Sequence, residues 1–405
     1  MYKTILAVLL TILLSNISLA QVNEKEIEAD LQQMINDISD YYVYLEDKNI
    51  ELSCIEKNYK EKIKNIKTKT DVILLFENLL NEFYDSHLIL NTNTKSSYRL
   101  YSPIYATFQN EKAIITNVWQ TELENIPKDI IETQIQKING IEIEKVIASF
   151  PTHCQDKKNP KVREWILNKI LAGKYNEPRI LTLQAKNNSI IHLDLDTLQT
   201  KKYTTLADSY KKNNIGVIKI NNSLGNNNLI EVFDSLINQL MDTDGLIIDL
   251  RNTVDGGNSY VARAIMGRFI NSSQPYQVHE LEEQYDGKTK VDRKWVEYVN
   301  PRENQYKKQV VVLVGRWTGS MGEGITIGFD AMQRGSIVGT EMERLAGEMS
   351  YFPFQDQNFG YRLSVAKLSH TNGTPRENYV PTKYVRQTTT QIDETLQEAI
   401  KLLKK

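Results

Sequence analysis

The stretch that decides the fold is residues 309–334, QVVVLVGRWTGSMGEGITIGFDAMQR. The apolar run from Val310 to Val314 leads into a glycine-rich loop, and apolar residues at helical spacing follow. This order predicts a buried strand, a tight turn and a helix. In open α/β sheets ligands usually bind at the C-terminal edge of the strands, where such a turn lies. Ser320 sits in this turn and is the first candidate for a functional side chain.

Two interpretations of Ser320 stand side by side. A serine at the start of a helix has backbone N–H groups beside it that can hold an oxyanion, as a nucleophile requires. Ser320 and Glu323 also have the spacing of a capping box, in which both side chains only close the end of the helix. This stretch alone does not choose between them.

Length and composition describe a folded chain of more than one domain. The 405 residues exceed the roughly 150 typical of one domain, and two or three domains are expected. Apolar residues make up 40% and charged residues 25% of the chain. Such a composition is typical of globular proteins. The net charge of −2 provides no electrostatic attraction for nucleic acid or an anionic membrane, so neither is an expected partner.

The N-terminus has the pattern of an export signal. Lys3 precedes an apolar run over residues 5–14, and small residues stand at 18 and 20. The run is too short to span a bilayer, so residues 1–20 are predicted to be a cleaved signal peptide; the alternative is a short buried helix. No cysteine follows the run, and no membrane anchor is expected after cleavage. The mature chain, from Gln21, would be periplasmic or secreted.

Cys54 and Cys154 are the two cysteines of the chain. Export makes a disulfide between them possible, and two buried free thiols are the alternative. Neither cysteine has histidines at the spacing of metal ligands. No metal and no cofactor are therefore predicted.

The periodicity of the apolar residues divides the mature chain into three parts. Residues 21–95 carry helical stripes and predict an N-terminal helical subdomain. Residues 96–204 change to a period of two and predict a mostly β module, with a hairpin at Asn139-Gly140. Residues 205–405 alternate strand and helix, which predicts an α/β core with a mostly parallel sheet; its polar segment 271–308 is expected to form a cleft wall or lid.

A glycine pair ends another strand of this core. The strand GLIIDL over residues 245–250 runs into RNTVDGG, which places Gly256 and Gly257 before a helix. Glycine permits close approach to a ligand, and its N–H can point into a site. The alternative is an ordinary turn between a strand and a helix.

Three segments together resemble a known family. LIIDLRNTVDGG at 246–257, VVVLVGRWTGSMGEGITIGFDAM at 310–332 and SIVGTEMERLAG at 336–347 are similar to the core of the tail-specific (C-terminal processing) protease and tricorn-core family of serine peptidases. The resemblance implies a Clp/crotonase-like core, a PDZ-like β module and a helical N-terminal part. Residues 135–147, IQKINGIEIEKVI, also resemble the late strands of PDZ domains, which bind peptide C-termini.

The resemblance also implies which branch of the family the chain follows. The tail-specific branch takes its base from a lysine after the VGT strand, and residues 340–350 contain no lysine. The tricorn-like branch uses a histidine preceded by a serine, and Ser86-His87 stands in YDSHLIL. It also uses a late glutamate, which matches Glu377 in GTPRENYVP.

The roles carried over from the family form a tetrad. Ser320 would be the nucleophile and form an acyl-enzyme, and His87 would be the general base and then the general acid. Glu377 and Ser86 would orient the site. Glu377 lacks the glycine and the acid that usually flank it.

The oxyanion hole carried over from the family consists of backbone N–H groups. Those of Met321 and of Gly256 or Gly257 would hold the charge of the tetrahedral intermediate.

The sequence thus predicts an exported serine endopeptidase that cleaves peptides or unfolded polypeptides. The principal alternative is a catalytically inactive protein that binds peptide or a lipophilic ligand on the same scaffold, because glycines replace the usual small residues around Ser320. An esterase or acyltransferase would use the same nucleophile. The sequence does not determine an oligomeric state.

Overall fold

The computed structural model describes residues 22–284 and 288–404. The predicted signal peptide, residues 1–20, lies outside the described residues. Within them, no helix combines the length and the apolar character that crossing a membrane would require.

The first half of the chain contains these elements: helices α1 (Glu24–Tyr41), α2 (Leu45–Lys48), α3 (Leu52–Ile63) and α4 (Lys69–Asn81); strands β1 (Ile89–Leu90), β2 (Ile104–Gln109), β3 (Lys112–Val118), β4 (Gln134–Ile138) and β5 (Ile141–Glu142); helices α5 (Ile143–Ala148) and α6 (Pro160–Ala172); and strands β6 (Ile180–Gln184) and β7 (Ile190–Asp194).

The second half continues with β8 (Ala207–Lys212), β9 (Ile215–Ile220), α7 (Leu229–Gln239), β10 (Gly245–Asp249), α8 (Ser259–Met266), β11 (Gln274–Glu283), β12 (Val291–Val299), β13 (Gln309–Val314), α9 (Met321–Ala331), β14 (Ser336–Gly339), β15 (Glu348–Pro353), β16 (Gly360–Ser369), β17 (Lys383–Tyr384) and α10 (Glu394–Leu403). The strand, turn and helix predicted over residues 309–334 are confirmed as β13 and α9.

The central sheet has the strand order β17-β14-β13-β10-β9-β8, and every pair is parallel except β8 with β9. Its strands are apolar on both sides because both faces are covered. Leu246 and Ile248 pack toward α7, α8 and α9, whereas Ile247, between them, packs toward α10. The ends of β10 and β13 therefore meet at one edge, which brings the glycine pair and Ser320 together.

A second sheet joins the two ends of the chain, in the order β1-β16-β11-β12, with β15 also paired to β16. The segment predicted as an excursion, 271–308, contains the long hairpin of β11 and β12. Strand β1 follows His87 closely and pairs with β16, where Ile89 lies opposite Arg362. This pairing places His87, which precedes β1, beside the second sheet.

The N-terminal helices do not complete a core of their own. The apolar cluster that α1, α3 and α4 form also contains Phe354, Phe359, Tyr361 and Leu363 from the region of β15 and β16. The segment 21–95, predicted as a helical subdomain, therefore packs as one unit with part of the C-terminal half. Hydropathy could not reveal this because the partner residues lie about 270 positions further along the chain.

The third sheet, β2-β3-β4-β6-β7 with β5 added to β4, packs with α5 and α6 around a separate apolar cluster. A disulfide between Cys54 and Cys154 ties this module to α3, with the two Cα atoms 6.0 Å apart. The structure thus contains the predicted disulfide rather than two free thiols. Trp119 of the module stacks on Trp317 of the core, with ring centroids 5.2 Å apart.

Candidate active site

Ser320 occupies a strained turn between β13 and α9. Its backbone has a φ of 47° and a ψ of -108°. These angles are rare for a residue with a side chain, and such strain is found mainly at functional sites. The N–H of Ser320 donates to Glu323 Oε2 at 3.0 Å, so the surrounding structure holds the turn in place.

Glu323 connects this turn to a second segment of chain. Its carboxylate is fully buried and also accepts from the N–H groups of Arg344, at 2.9 Å, and Leu345, at 3.1 Å. Burial raises the pKa of Glu323 to about 7. The predicted capping role of Glu323 is confirmed for its bond to the Ser320 N–H. This bond leaves the nucleophile interpretation of Ser320 intact, because it uses only the backbone of the serine.

The two glycines of the pair are both closely packed, Gly256 against Ser320 and Gly257 against the backbone of Leu224. Gly256 has a φ of +66°, and a Cβ there would lie 2.4 Å from the Cβ of Ser320. A Cβ on Gly257 would lie 2.2 Å from the carbonyl carbon of Leu224. Only glycine fits at either position.

The two loops are fastened to each other through Thr253. Its carbonyl accepts from the N–H of Gly319 at 3.2 Å and from that of Gly256 at 3.0 Å. Gly256, one of the two predicted oxyanion donors, therefore already has an acceptor for its N–H. Among the described residues no backbone carbonyl accepts from the N–H of Gly257 or Met321. These two groups are the better placed donors.

His87 is held by its backbone and by one ring nitrogen. Its N–H donates to Asp85 Oδ1 at 2.9 Å, and its Nδ1 lies 2.8 Å from the carbonyl oxygen of Ala346. A carbonyl only accepts, so Nδ1 carries the proton and Nε2 presents a lone pair. Burial lowers the pKa of His87 to about 4, and the ring is neutral at neutral pH.

A cavity of about 1280 Å³ brings the predicted residues together. Its lining includes Ser320, His87, Gly256, Gly257 and Met321. The cavity is thus lined by a serine, a neutral histidine and the residues of the predicted oxyanion hole, and among the described residues no hydrogen bond joins the His87 ring to Ser320. That combination can activate an alcohol and stabilise an oxyanion.

Ser86 also lines the cavity of Ser320 and His87, whereas Glu377 lines a neighbouring one. Ser86 is exposed, and its Oγ accepts from Trp165 Nε1 at 3.1 Å. Glu377 lies in a turn of 3-10 helix, Arg376–Asn378, and with Ser86 lines a neighbouring cavity of about 910 Å³. Burial raises the pKa of Glu377. No hydrogen bond within residues 22–284 and 288–404 joins either side chain to His87, so their supporting roles stay predictions.

Sequence reasoning missed three contributors that the structure places around His87. Asp85 forms an Asx turn that holds the His87 backbone, and the Asp-x-His spacing was a signal for it. Ala346 contributes only a carbonyl, for which no sequence signal exists. The Arg376 side chain donates to the carbonyls on both sides of Ala346, and it lies one residue before the predicted Glu377.

The described residues contain no group of His, Cys, Asp and Glu arranged to hold a metal ion.

Two protein-family models match parts of the chain. The model of peptidase family S41 matches residues 214–385, and that of the tricorn protease C1 domain matches residues 23–81. No curated protein sequence matches the chain.

Solved structures with a similar fold span nearly the whole chain. Mature CPAF has a TM-score of 0.62 at 12% identity, covering 94% of this chain and 96% of its own. The photosystem II D1 C-terminal processing protease has a TM-score of 0.53 at 13% identity, covering 92% of this chain and 96% of its own. A putative peptidase from Parabacteroides merdae has a TM-score of 0.54 at 13% identity, covering 93% and 96%. Because these identities are low, the likeness concerns the fold.

The S41 match contains both the glycine pair and the strained Ser320 turn, and the tricorn-type match covers the helices that precede His87. The chain is therefore similar to peptidase family S41 over residues 214–385, and these matches support a serine peptidase.

Proposed function

We propose that this protein is an endopeptidase that cleaves peptides or unfolded polypeptides with Ser320 as nucleophile and His87 as general base. The observation that carries the proposal is the strained turn at Ser320, packed on Gly256 in a cavity that a neutral His87 also lines. Peptide or protein substrates follow from the family.

The tautomer of His87 defines the proton path. Nδ1 donates to Ala346, so Nε2 accepts the proton of Ser320 Oγ while Oγ attacks the scissile carbonyl. The N–H groups of Met321 and Gly257 receive the oxyanion. The imidazolium then protonates the leaving amine, and an acyl-enzyme on Ser320 remains. A water molecule activated by the same Nε2 hydrolyses that ester.

Burial has two consequences for His87. It keeps the ring in the neutral form that a base requires at neutral pH, because the charged form is desolvated. It also makes the imidazolium costly, so the negative oxyanion that forms at the same time is needed to offset its charge.

The wider architecture suggests how substrate reaches Ser320. We assign the central sheet to a Clp/crotonase-like core and the β2–β7 module to a PDZ-like domain that presents extended chains to the cavity.

Export through the signal peptide at 1–20 is part of the proposal, and N-terminal sequencing of the protein recovered after expression tests it. A chain that begins at Gln21 is expected, and one that retains Met1 would contradict export.

Hydrolysis of a quenched fluorescent, denatured polypeptide tests the nucleophile and the base. Ser320→Ala and His87→Gln are expected to lower kcat by at least about 10³-fold, as losses of single members do in comparable sites. Ser189→Ala, in the β6–β7 turn, and His192→Gln, exposed on β7, are matched controls expected to keep wild-type rates.

Each outcome of this experiment decides between two functions. If purified wild-type protein hydrolyses no polypeptide but binds it, the alternative of an inactive binding protein replaces the peptidase. If Ser320→Ala retains the wild-type rate, the nucleophile assignment is wrong.

A further inference from the structure

Arg376, the residue before the predicted Glu377, binds the segment that holds the His87 ring. Arg376 is 1% exposed, and its Nη2 donates to the carbonyl of Leu345 at 2.8 Å and to that of Gly347 at 3.1 Å. These carbonyls flank Ala346, the residue whose carbonyl accepts from His87. The guanidinium therefore holds the peptide units on both sides of that acceptor.

The acceptor itself receives two side-chain donors. The carbonyl of Ala346 accepts from His87 Nδ1 at 2.8 Å and from Ser364 Oγ at 2.8 Å. Ser364 is fully buried on β16, the strand that pairs with β1 after His87. The direction of this carbonyl sets the direction of the imidazole, because a hydrogen bond on Nδ1 orients the ring.

The same segment is tied to the nucleophile from its other end. The Glu323 carboxylate accepts from the N–H groups of Arg344 and Leu345, and also from that of Ser320. Residues 344–347 are thus held by Glu323 through N–H groups and by Arg376 through carbonyls. One short segment connects the turn that carries the nucleophile to the group that orients the base.

Charged residues near His87 shift its pKa in opposite directions. The Arg376 guanidinium lowers the pKa of His87, and Arg362 acts in the same direction. The Asp85 carboxylate, on the other side, raises it. Arg376 also lowers the pKa of Glu323 by its positive charge.

We propose that Arg376 is a positioning residue that aligns His87 with Ser320 by holding the carbonyl of Ala346. That this alignment serves catalysis rests on the proposed peptidase function. That Arg376 orients the His87 ring does not depend on that function. A displacement of a catalytic group by about 1 Å can lower the rate by about 10²-fold, so a residue that acts through the base in this way affects kcat.

Three variants separate positioning from ordinary packing. Arg376→Lys keeps the cation but cannot bind both carbonyls in the same way, Arg376→Gln removes the charge, and Ser364→Ala removes the other donor to Ala346. The control is Arg179→Lys in the β module, because Arg179 is also buried and donates to backbone carbonyls, those of Leu171, Ala172 and Leu195, in addition to its pair with Asp196.

The first measurement does not depend on catalysis. The titration of His87 is followed by NMR of protein with labelled histidines, with the signal assigned by His87→Gln. Arg376→Gln is expected to raise the pKa of His87 above that of the wild type, whereas Arg179→Lys leaves it unchanged. The second measurement is steady-state kinetics, in which Arg376→Lys and Ser364→Ala lower kcat by about 10- to 100-fold with KM nearly constant.

The outcomes are separable from those of the proposed function. A wild-type kcat and an unchanged His87 titration in the Arg376 variants and in Ser364→Ala would overturn the positioning role. A loss in Arg376→Lys no larger than in Arg179→Lys would do the same. If the wild type lacks hydrolysis altogether, the peptidase proposal fails, and the His87 titration still decides the role of Arg376. If both Arg376 variants fail to fold, Ser364→Ala decides it.

Discussion

Replacing Gly256 by alanine tests the geometry of the site most closely. The added Cβ would lie 2.4 Å from Ser320 Cβ, 2.9 Å from Ser320 Oγ and 3.0 Å from Met321 N. An oxyanion must lie about 2.7–3.1 Å from its donors, so the methyl group would compete for the space beside the Met321 N–H. The loss of one oxyanion donor costs about 2.7–4 kcal/mol, and we expect kcat to fall about 10²- to 10³-fold.

The backbone conformation contributes a separate effect on stability. Gly256 has a φ of +66°. Placing alanine in this conformation costs about 1–2 kcal/mol. Gly140 provides the matched control, since it has a φ of +79° and a Cβ there would meet no atom within 4 Å. Gly140→Ala should lose only this backbone part of the unfolding free energy in urea, and therefore less than Gly256→Ala, and it should keep the wild-type kcat.

The assay compares kcat on one peptide substrate with the urea midpoint for both variants. The reasoning is refuted if Gly256→Ala retains more than about a tenth of the wild-type kcat, because the oxyanion would then not occupy the space beside the Met321 N–H. It is also refuted if Gly140→Ala loses as much activity, since backbone strain alone would then explain the effect.

Four further predictions concern pH and stability. The pKa of His87 is lowered from 6.5 to about 4, so the unfolded chain takes up this proton before the folded chain does. The unfolding free energy should therefore fall by about 3 kcal/mol as the pH drops from roughly 6.5 toward 4, and His87→Gln should flatten this part of the pH curve. The acid limb of the kcat/KM profile should accordingly lie near pH 4, and a limb near 6.5 would show that His87 is not the buried base. The disulfide of Cys54 and Cys154 joins residues 100 positions apart. Cys154→Ser should lower the unfolding free energy in urea by about 2–5 kcal/mol, whereas equal midpoints with and without reductant would show that the bond is absent in solution. Asp393 pairs with the buried Arg251 at 2.7 Å. Because Arg251 keeps its pair with Asp249, Asp393→Ala should destabilise the fold by about 1–3 kcal/mol, and an unchanged midpoint would count against the buried pair.

The sequence was most informative where a structural signal lies within a few neighbouring residues of the chain. The apolar run of β13, buried on both sides, and the turn that follows it identified Ser320 without any tertiary information. The glycine pair was recognised in the same way, because a close backbone approach at Gly256 requires a residue without a side chain.

The orientation of the base could not be predicted from sequence. Nδ1 of His87 bonds to a main-chain carbonyl, and a carbonyl is present at every residue. Only the pairing of β1 with β16 brings Ala346 and Arg376 to His87, across more than 250 positions of sequence. Resemblance directed attention to Glu377, whereas the observed contacts belong to its neighbour.

The predicted division into three parts does not show which segments share a core. The helices of 21–95 share their core with Phe354 and Tyr361, and periodicity within one segment cannot identify its partner. The β module was easier to delimit, because its apolar cluster is drawn almost entirely from its own residues.

The central claim, that Ser320 is an activated nucleophile with His87 as its base, is tested most directly by a fluorophosphonate. Mass spectrometry of the intact and digested protein should find one adduct, on the peptide that contains Ser320. Labelling should be absent in Ser320→Ala and strongly slowed in His87→Gln, while Ser189→Ala labels like the wild type. An adduct elsewhere, no adduct on folded wild-type protein, or a labelling rate that is indifferent to His87 would contradict the account.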